Sequence, residues 1–302
     1  MQDPRWAQIA VLAGLTAWGE LGLDFGIGWE RALAILATGQ LVQALGNAAR
    51  RERFEPRSAL ISSLSLILLL RSSHIGWSIA GTALAVGSKF VLRYRGRHLF
   101  NPTNLALVVL LLVTDSVWVS TGQWGRGAVV AAALAAAALW VLPRVRGDVT
   151  IAFAAIWSAL HFGRALWLGD PLAIPLHQLS SGTLFVFAAF MLSDPRTIPT
   201  ARAGRISFAL LVAAGGYVGR FVYYEPNALL YSLAAGALCV PFIDAWFPGG
   251  EFRWPGTETS STQTKETARE SRHPQRTKPI DWSVPASPPV GLDASAPGGG
   301  AR

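Results

Sequence analysis

Runs of apolar residues long enough to cross a membrane alternate along this chain with short clusters of arginine. A membrane-spanning helix needs about 20 mainly apolar residues. Of the 302 residues, 51% are hydrophobic and only 15% are charged, whereas a soluble domain carries about 25% charged residues. We therefore predict an all-α polytopic membrane protein with about ten transmembrane helices. The predicted segments are 7–24, 31–48, 58–71, 75–92, 101–119, 127–143, 149–168, 177–193, 204–222 and 227–247.

The arginines predict the orientation of these segments. If the N-terminus lies in the cytoplasm, the cytoplasmic loops hold most of the basic residues of the predicted membrane domain, as the positive-inside rule requires. These residues are Arg50, Arg51, Arg53, Arg57, Arg93, Arg95, Arg97, Arg144, Arg146, Arg196, Arg202 and Arg205. An even number of spans then places both termini in the cytoplasm, and we expect a multi-pass protein of the bacterial inner membrane.

Composition excludes several other classes of protein. The net charge of +8 would suit a nucleic-acid partner, but the basic residues lie at helix ends and in the tail, so we expect the lipid bilayer and no nucleic acid as a partner. The single cysteine, Cys239, excludes a disulfide framework and a cysteine-ligated iron–sulfur cluster within one chain. The start of the chain lacks a basic n-region, so we expect the first apolar segment to remain as a helix.

Two regions differ in composition. Residues 1–248 are predicted to form the transmembrane domain. From about Gly249 the chain becomes polar and then rich in Pro, Gly, Ala and Ser. Such a sequence buries too little apolar surface to offset its ordering entropy, so 249–302 is predicted to be a disordered cytoplasmic tail.

Two pairs of segments suggest an internal repeat. "ISSLSLILLLRSS" from Ile61 is similar to "LSSGTLFVFAAFMLSD" from Leu179, and "FNPTNLALVVLLL" from Phe100 is similar to "YEPNALLYSLAAG" from Tyr224. The paired segments are five spans apart and therefore cross the membrane in opposite directions. This predicts two inverted five-helix repeats, roughly 5–122 and 126–247, whose discontinuous helices would meet near the midplane.

The same motifs resemble one membrane family. "SALISSLSLILLL", the Gly–Ser–Lys of residues 87–89, "FNP" at Phe100, "SSGTLFVFAAFMLSDPRTIPTARAGR" and "CVPFID" at Cys239 are similar to motifs of the NqrB/RnfD family, whose members belong to the sodium-translocating NADH:quinone reductase and to the Rnf electron-transport complex. The resemblance covers about 58–247. It implies a ten-helix fold akin to urea and ammonium channels, and electron transfer coupled to the movement of sodium ions or protons.

The resemblance also implies a flavin. Members of this family usually carry FMN on a Thr in a Ser-Gly-Ala-Thr motif after the "FNP" helix, but this chain reads "VTDSVWVSTGQW" there and has no such motif. Covalent FMN is therefore not expected, and a flavin, FMN or riboflavin, would be bound non-covalently. The chain resembles a divergent, stand-alone member, of the kind associated with enediyne biosynthesis clusters as well as with redox operons.

The resemblance and the repeat together give the candidate cofactor-binding residues, which lie at helix starts and breaks. They are Asn101, Pro102, Asn104, Ser180, Ser181, Gly182, Thr183, Asp194, Arg196 and Thr197. Simpler interpretations stay open for each group. Asn101 and Pro102 are typical of a helix start, the Ser and Gly residues are typical of helix packing, and Asp194 to Thr197 are typical of a turn in a cytoplasmic loop.

Ionisable residues within a membrane span are costly and often functional, and His161, Arg164 and Lys89 are three of those in the predicted spans. His161 and Arg164 share a helical face and either form a site or extend to the outer interface. Lys89 is expected to extend its ammonium group to the cytoplasmic interface. Most of the 12 tryptophans fall near helix ends and are interpreted as an interfacial belt. No metal cluster, phosphate loop or nucleophile triad is apparent, so catalysis by the chain alone is left open.

Three functions remain compatible with the sequence. The first is a membrane subunit of an electron-transport system, with other redox subunits as partners, which moves ions or supplies redox equivalents to a biosynthetic pathway. The second is a non-redox transporter or channel of the same fold. The third is a membrane scaffold that acts through its tail.

Overall fold

The described part of the chain is a bundle of helices with two short two-stranded sheets. The computed structural model describes residues 3, 5–119, 133–134, 137, 140 and 146–250. The helices are α1 Arg5–Gly22, α2 Trp29–Ala49, α3 Pro56–Leu69, α4 Ile75–Val91, α5 Pro102–Val113, α6 Gly147–Leu168, α7 Ala173–Leu179, α8 Gly182–Val186, α9 Arg202–Phe221 and α10 Ala228–Trp246, with a π-helix at Phe187–Met191 directly after α8. The strands are β1 Leu70–Ser72, β2 Arg93–Tyr94, β3 Arg97–His98 and β4 Val117–Val119.

Three helices of the described chain, α2, α6 and α10, are long and apolar enough to cross a membrane. A fourth candidate is the pair formed by α7 and the 182–191 segment, which is bent by 50° between its two parts. The helices α3, α4 and α5 are apolar but shorter. The chain is therefore a helical membrane protein. The count of ten spans stays a prediction, and most of the predicted segment 127–143 and nearly all of the predicted tail lie outside the described residues.

The predicted helix over 101–119 is wrong in its last third. The helix α5 ends at Val113, and the chain continues as strand β4, which pairs antiparallel with β1 through Leu70↔Val119 and Ser72↔Val117. Thr114, Asp115 and Ser116 separate the two elements. These residue types favour turns over helix interiors, and the β-branched residues Val117 and Val119 favour the strand that follows.

The start of α5 confirms the predicted cap. The Asn101 side chain accepts a hydrogen bond from the backbone N–H of Asn104 at 3.1 Å, and Pro102 occupies the first helical position. Asn104 in turn donates through Nδ2 to the carbonyl oxygen of Leu230 at 3.1 Å. Asn104 is the third residue of α5 and Leu230 is the third residue of α10, so the first turns of these two helices are in contact.

Helices in the N-terminal half of the described chain pack in a similar way to helices in its C-terminal half. The helix α4 packs against α2 and α5, and α9 packs against α6 and α10. Small residues permit close approach, as is common between helices in membranes. A Cβ atom on Gly46 would lie 2.3 Å from the Phe90 ring, and one on Gly219 would lie 2.7 Å from the Cβ of Ala228.

Arginines hold the loops together at one end of the bundle, which we call the arginine-rich end. Arg97 forms an ion pair with Asp244 of α10 at 3.0 Å. Arg146 donates to the carbonyl oxygens of Pro199 and Thr200, each at 3.1 Å. All three loops carry basic residues that the sequence predicts to be cytoplasmic, so these loops converge on the same end.

A second ionic cluster attaches the start of α1 to the start of α3. Asp3 forms ion pairs with Arg5 at 2.6 Å and Arg57 at 2.7 Å, and Glu55 also contacts both arginines. Burial acts to raise the pKa of the Asp3 and Glu55 carboxyl groups. Hydrogen bonds from Arg5 to Asp3 and from Arg57 to Glu55 outweigh this effect, so both pKa values lie below their ordinary values.

This cluster is expected to loosen in acid. A carboxyl whose pKa is lowered by folding stabilises the folded state above its ordinary pKa, and that contribution is lost as the pH falls through the folded-state pKa. We therefore expect amide hydrogen exchange in the first turn of α1 to accelerate below about pH 4, after correction for the intrinsic rate. A variant with Asp3→Asn and Glu55→Gln should exchange rapidly at both pH 6 and pH 3.5. An equal pH dependence in this variant would contradict the assignment.

Candidate functional site

The centre of the candidate site is the broken segment between α7 and the loop at Asp194. Ser180 and Ser181 interrupt the helix, and the chain resumes at Gly182. Over Phe187–Met191 the helix widens to a π-helix, in which the Leu192 N–H donates to the carbonyl of Phe187 at 2.9 Å. Turns of this kind are rare and often occur at functional sites. All five residues of the turn are buried.

A large cavity lies on one side of this segment. Its volume is about 380 Å³, within the range of small-molecule sites. Phe187 and Met191 of the π-helix line it, and the other walls come from α6, from the Ser180–Thr183 break and from the start of α10. Its further lining residues include Trp157, His161, His177, Gln178, Arg220 and Asn227.

His161 is the most notable polar residue of the large cavity. It is 4% exposed, and its Nε2 atom has no hydrogen-bond partner among the described residues. Its ring packs edge-on against Trp157, with ring centroids 4.5 Å apart, and against Phe221 at 5.4 Å. An unpaired polar atom at a buried position carries a desolvation cost, so a ligand that supplies the missing hydrogen bond would be favoured here.

A smaller cavity of about 70 Å³ also borders the π-helix, where Phe190 contributes to its wall. Asp194 stands at this cavity. It accepts hydrogen bonds from the Asn101 amide at 3.3 Å and from the backbone N–H of Arg196 at 3.0 Å. Burial raises the pKa of the Asp194 carboxyl above its ordinary value, although the Arg196 N–H and the charges of Arg196 and Lys89 act in the opposite direction.

His98 lies beside the same cavity and is kept neutral. Burial and the positive charges of Arg196 and Lys89 lower its pKa to about 3. Its Nε2 atom lies 3.4 Å from Nη1 of Arg196, and a neutral imidazole can accept a hydrogen bond from that guanidinium. A third cavity of about 220 Å³ is lined by the β2–β3 hairpin, by Thr197 and Thr200, and by the end of α10.

The ten predicted cofactor-binding residues do not form one site. Ser180, Ser181 and Thr183 line the large cavity, and Gly182 is buried beside them. Asn101, Pro102, Asp194 and Arg196 line the small cavity, whereas Thr197 lines the third cavity and Asn104 binds the Leu230 carbonyl. Along the chain, the helical residues 182–191 lie between the Ser180–Ser181 break and Asp194. The cofactor role of these residues stays a prediction.

The ionisable residues within the predicted spans have different surroundings. His161 lines the large cavity, whereas Arg164 pairs with Asp170 at 3.4 Å and lies over the Phe221 ring. Lys89 is 4% exposed and donates to the carbonyl of Ser58 at 2.8 Å. Its ammonium group thus finds hydrogen-bond acceptors at the start of α3, next to the predicted cytoplasmic residue Arg57, and its extension to the cytoplasmic interface stays a prediction.

Sequence reasoning left several cavity residues out of the predicted site. Trp157, Arg220 and Asn227 come from three separate parts of the chain. One local signal was available, since Trp157 and His161 are four residues apart and so share a helical face. The convergence of α6, α9 and α10 on this point depends on tertiary packing.

Known proteins share part of this chain's sequence. Residues 113–252 match the model of the NQR2, RnfD, RnfE family. The chain resembles the NQR2, RnfD, RnfE family. This confirms the resemblance predicted from the motifs. The matched range includes the large cavity's residues from Trp157 onwards and the Asp194 loop, whereas the "FNP" motif at Phe100 lies before it.

Individual relatives give the same relationship over shorter stretches. The D subunit of an ion-translocating oxidoreductase complex from Psychromonas ingrahamii is 38% identical over 89 residues, which is 30% of this chain and 25% of that protein. Its counterpart of the same name from Alcanivorax borkumensis is 40% identical over 80 residues, or 26% of this chain and 23% of that protein. The D subunit from Shewanella piezotolerans is 32% identical over 108 residues, which is 35% of this chain and 31% of that protein. The alignments thus span about a quarter of the length of these curated relatives.

Proposed function

We propose that this chain is a membrane subunit of an electron-transport system in which electron transfer is coupled to ion movement, and that its large cavity binds a flavin non-covalently. The similarity to the D subunits of ion-translocating oxidoreductase complexes supports the first part. The observation that carries the second part is the cavity itself, with its buried and unpaired His161 Nε2.

The residues of the large cavity fit a flavin. Trp157, Phe187 and Leu184 offer apolar contacts to a planar ring system, and the unpaired Nε2 of His161 offers a hydrogen bond to a ring nitrogen or carbonyl. A bound flavin would supply one- and two-electron redox chemistry. Arg220 is exposed at the cavity and brings a positive charge near it, which would favour FMN over riboflavin because FMN carries a phosphate.

The predicted topology is part of this proposal. We propose ten spans in two inverted repeats, in the bacterial inner membrane, with both termini in the cytoplasm and other redox subunits as partners. The contact between the first turns of α5 and α10 supports the repeat, because helix starts meet in this way in inverted-repeat transporters. The convergence of the arginine-bearing loops on one end of the bundle supports the orientation.

The flavin proposal is tested on the full-length protein. Purified in mild detergent from cells that supply flavin, the protein is expected to be yellow, with close to one acid-extractable flavin per chain. His161→Leu should weaken the binding of added FMN about tenfold, because one hydrogen bond to a buried group contributes about 1.5 kcal/mol. Quenching of flavin fluorescence measures this affinity.

A matched control separates the cavity from general effects of removing a histidine. His74 is exposed and precedes α4, outside the large cavity, so His74→Leu should bind FMN as the wild type does. A colourless wild-type protein that also fails to quench added FMN would refute the flavin proposal. It would favour the alternative of a non-redox transporter of the same fold, which the two cavities lined by π-helix residues would also suit.

A further inference from the structure

Polar side chains are buried along the interface of α2, α3 and α4, away from the large cavity. Each of them is at most 8% exposed. They are Gln43, Asn47, Ser62, Ser63, Ser65, Ser78, Thr82, Ser88 and Lys89. Hydroxyl and amide groups in a membrane interior are expensive unless they are paired or line a polar path. Most of this set is paired, but Oγ of Ser63 and Oε1 of Gln43 have no partner among the described residues and call for a functional explanation.

One end of this set opens into the small cavity at Asp194. Lys89 donates to Ser58 through both the carbonyl oxygen, at 2.8 Å, and the hydroxyl oxygen, at 3.1 Å. Ser58, Ser62 and Lys89 line that cavity together with the exposed residue Arg196. The path therefore begins near the arginine-rich end.

The other end is a short chain of hydrogen bonds that leads to the surface. The Thr82 hydroxyl donates to the carbonyl of Ser78 at 2.7 Å, and the Ser78 and Ser72 hydroxyls lie 2.9 Å apart. The Ser72 hydroxyl also donates to the carbonyl of His74 at 3.0 Å, and His74 is exposed. From Lys89 to Ser78 this path follows α4 for about 17 Å, at 1.5 Å per residue.

The middle of the path holds unpaired acceptors. The Ser63 hydroxyl is fully buried and has no hydrogen-bond partner in the part of the chain that the structure describes. It lies against Gly39, where a Cβ atom would come within 2.2 Å of its oxygen and 3.5 Å of the Thr82 methyl group. One turn further along α2, Oε1 of Gln43 is also buried without a partner among the described residues. Each of these two oxygens can therefore accept a hydrogen bond from a water molecule.

We propose that this set of side chains is a proton-conducting route through α2, α3 and α4, from Lys89 to Ser72. Hydroxyl groups both donate and accept hydrogen bonds, so a line of them with bridging water can pass a proton along by reorientation. The buried set contains no carboxylate that could compensate a dehydrated metal cation, which disfavours metal cations as the conducted ion. This proposal rests on the proposed function, in which the chain takes part in ion movement, and it names the ion and its route.

The route is tested in liposomes that contain the full-length protein and a pH-sensitive dye. A potassium gradient with valinomycin makes the interior negative and draws protons inward, with no electron donor or flavin added. We expect internal acidification at least tenfold faster than in protein-free liposomes. Thr82→Val and Ser63→Ala are each expected to reduce the protein-dependent rate at least tenfold.

The variants are chosen to separate conduction from folding. Ser63→Ala removes a hydroxyl that makes no hydrogen bond among the described residues, so its structural cost is small. Thr150→Val is the matched control for Thr82→Val, because Thr150 is also buried and donates to a carbonyl, that of Ala188, at 2.8 Å. Thr150→Val should conduct protons as the wild type does.

Several outcomes would overturn the route. These are proton uptake no faster than in protein-free liposomes, full conduction by the Ser63→Ala variant, or uptake of sodium in place of protons under the same potential. Failure of the route is distinct from failure of the proposed function. A flavin-containing protein without proton flux refutes the route alone, whereas flux that depends on Ser63 in a protein that binds no flavin refutes the flavin proposal alone.

Discussion

Gly219→Leu is expected to lower the melting temperature of the purified protein by about 10 °C. Gly219 lies in α9 where it meets the start of α10, and an added Cβ atom would come within 2.7 Å of the Ala228 Cβ and 3.6 Å of the Ala228 Cα. The first of these distances is too short for two carbon atoms, so the helices must separate. Such overpacking costs about 3 kcal/mol, and 1 kcal/mol corresponds to about 2–4 °C in a protein of this size.

The control for this substitution is Gly163→Leu. Gly163 also lies inside a long helix, α6, but no atom lies within 4 Å of the position that its Cβ would occupy. Replacing a helical glycine there should be neutral or slightly stabilising. Thermal unfolding followed by circular dichroism in detergent measures both variants. Equal melting temperatures for the two would show that α9 and α10 do not approach as closely as described.

Arg205→Ala is expected to lower the melting temperature by about 6–10 °C. Nε of Arg205 donates to both carboxylate oxygens of Asp148, at 2.9 and 2.8 Å, and Nη1 donates to the carbonyl of Thr200 at 2.6 Å. The pair is largely buried, with 12% and 24% of the two side chains exposed. Removing one partner leaves the other charge poorly solvated, which costs about 3 kcal/mol. The loop that carries Asp194 would lose one of its attachments.

Arg202 provides the comparison for Arg205. It lies three residues earlier on the same helix, carries the same charge and is exposed. Arg202→Ala should change the melting temperature by less than about 2 °C, since exposed charges contribute little to stability. If the two arginines served only to orient the protein in the membrane, the two variants would have the same melting temperature. Limited proteolysis of the 194–201 loop should detect the difference between them independently.

The sequence predicted those parts of the fold that depend on local chemistry. The cap at Asn101 and Pro102 needs only neighbouring residues, and it is confirmed. The pairing of β1 with β4 was missed because it joins residues as far apart in the chain as Leu70 and Val119. A short apolar strand also cannot be distinguished from the end of a helix by hydrophobicity alone.

The site was predicted less completely than the fold. Residues at helix starts and breaks were recognised by residue type, but their division among three cavities depends on tertiary packing. No residue of "FVFAAFML" is typical of a π-helix, since Phe187–Met191 contains only apolar residues that suit an α-helix equally well. His161 was recognised as unusual from its position, whereas its neighbours Arg220 and Asn227 lie on elements that only tertiary packing brings close.

The π-helix at Phe187–Met191 also has a geometric consequence for Asp194. An α-helix advances about 100° and 1.5 Å per residue, and a π turn holds one residue more than an α turn. Exchanging the π turn for an α turn would therefore rotate everything beyond Met191 by about 100° and shift it by about 1.5 Å. Asp194 lies three residues beyond Met191, so the direction in which its carboxylate points depends on the presence of a single extra residue.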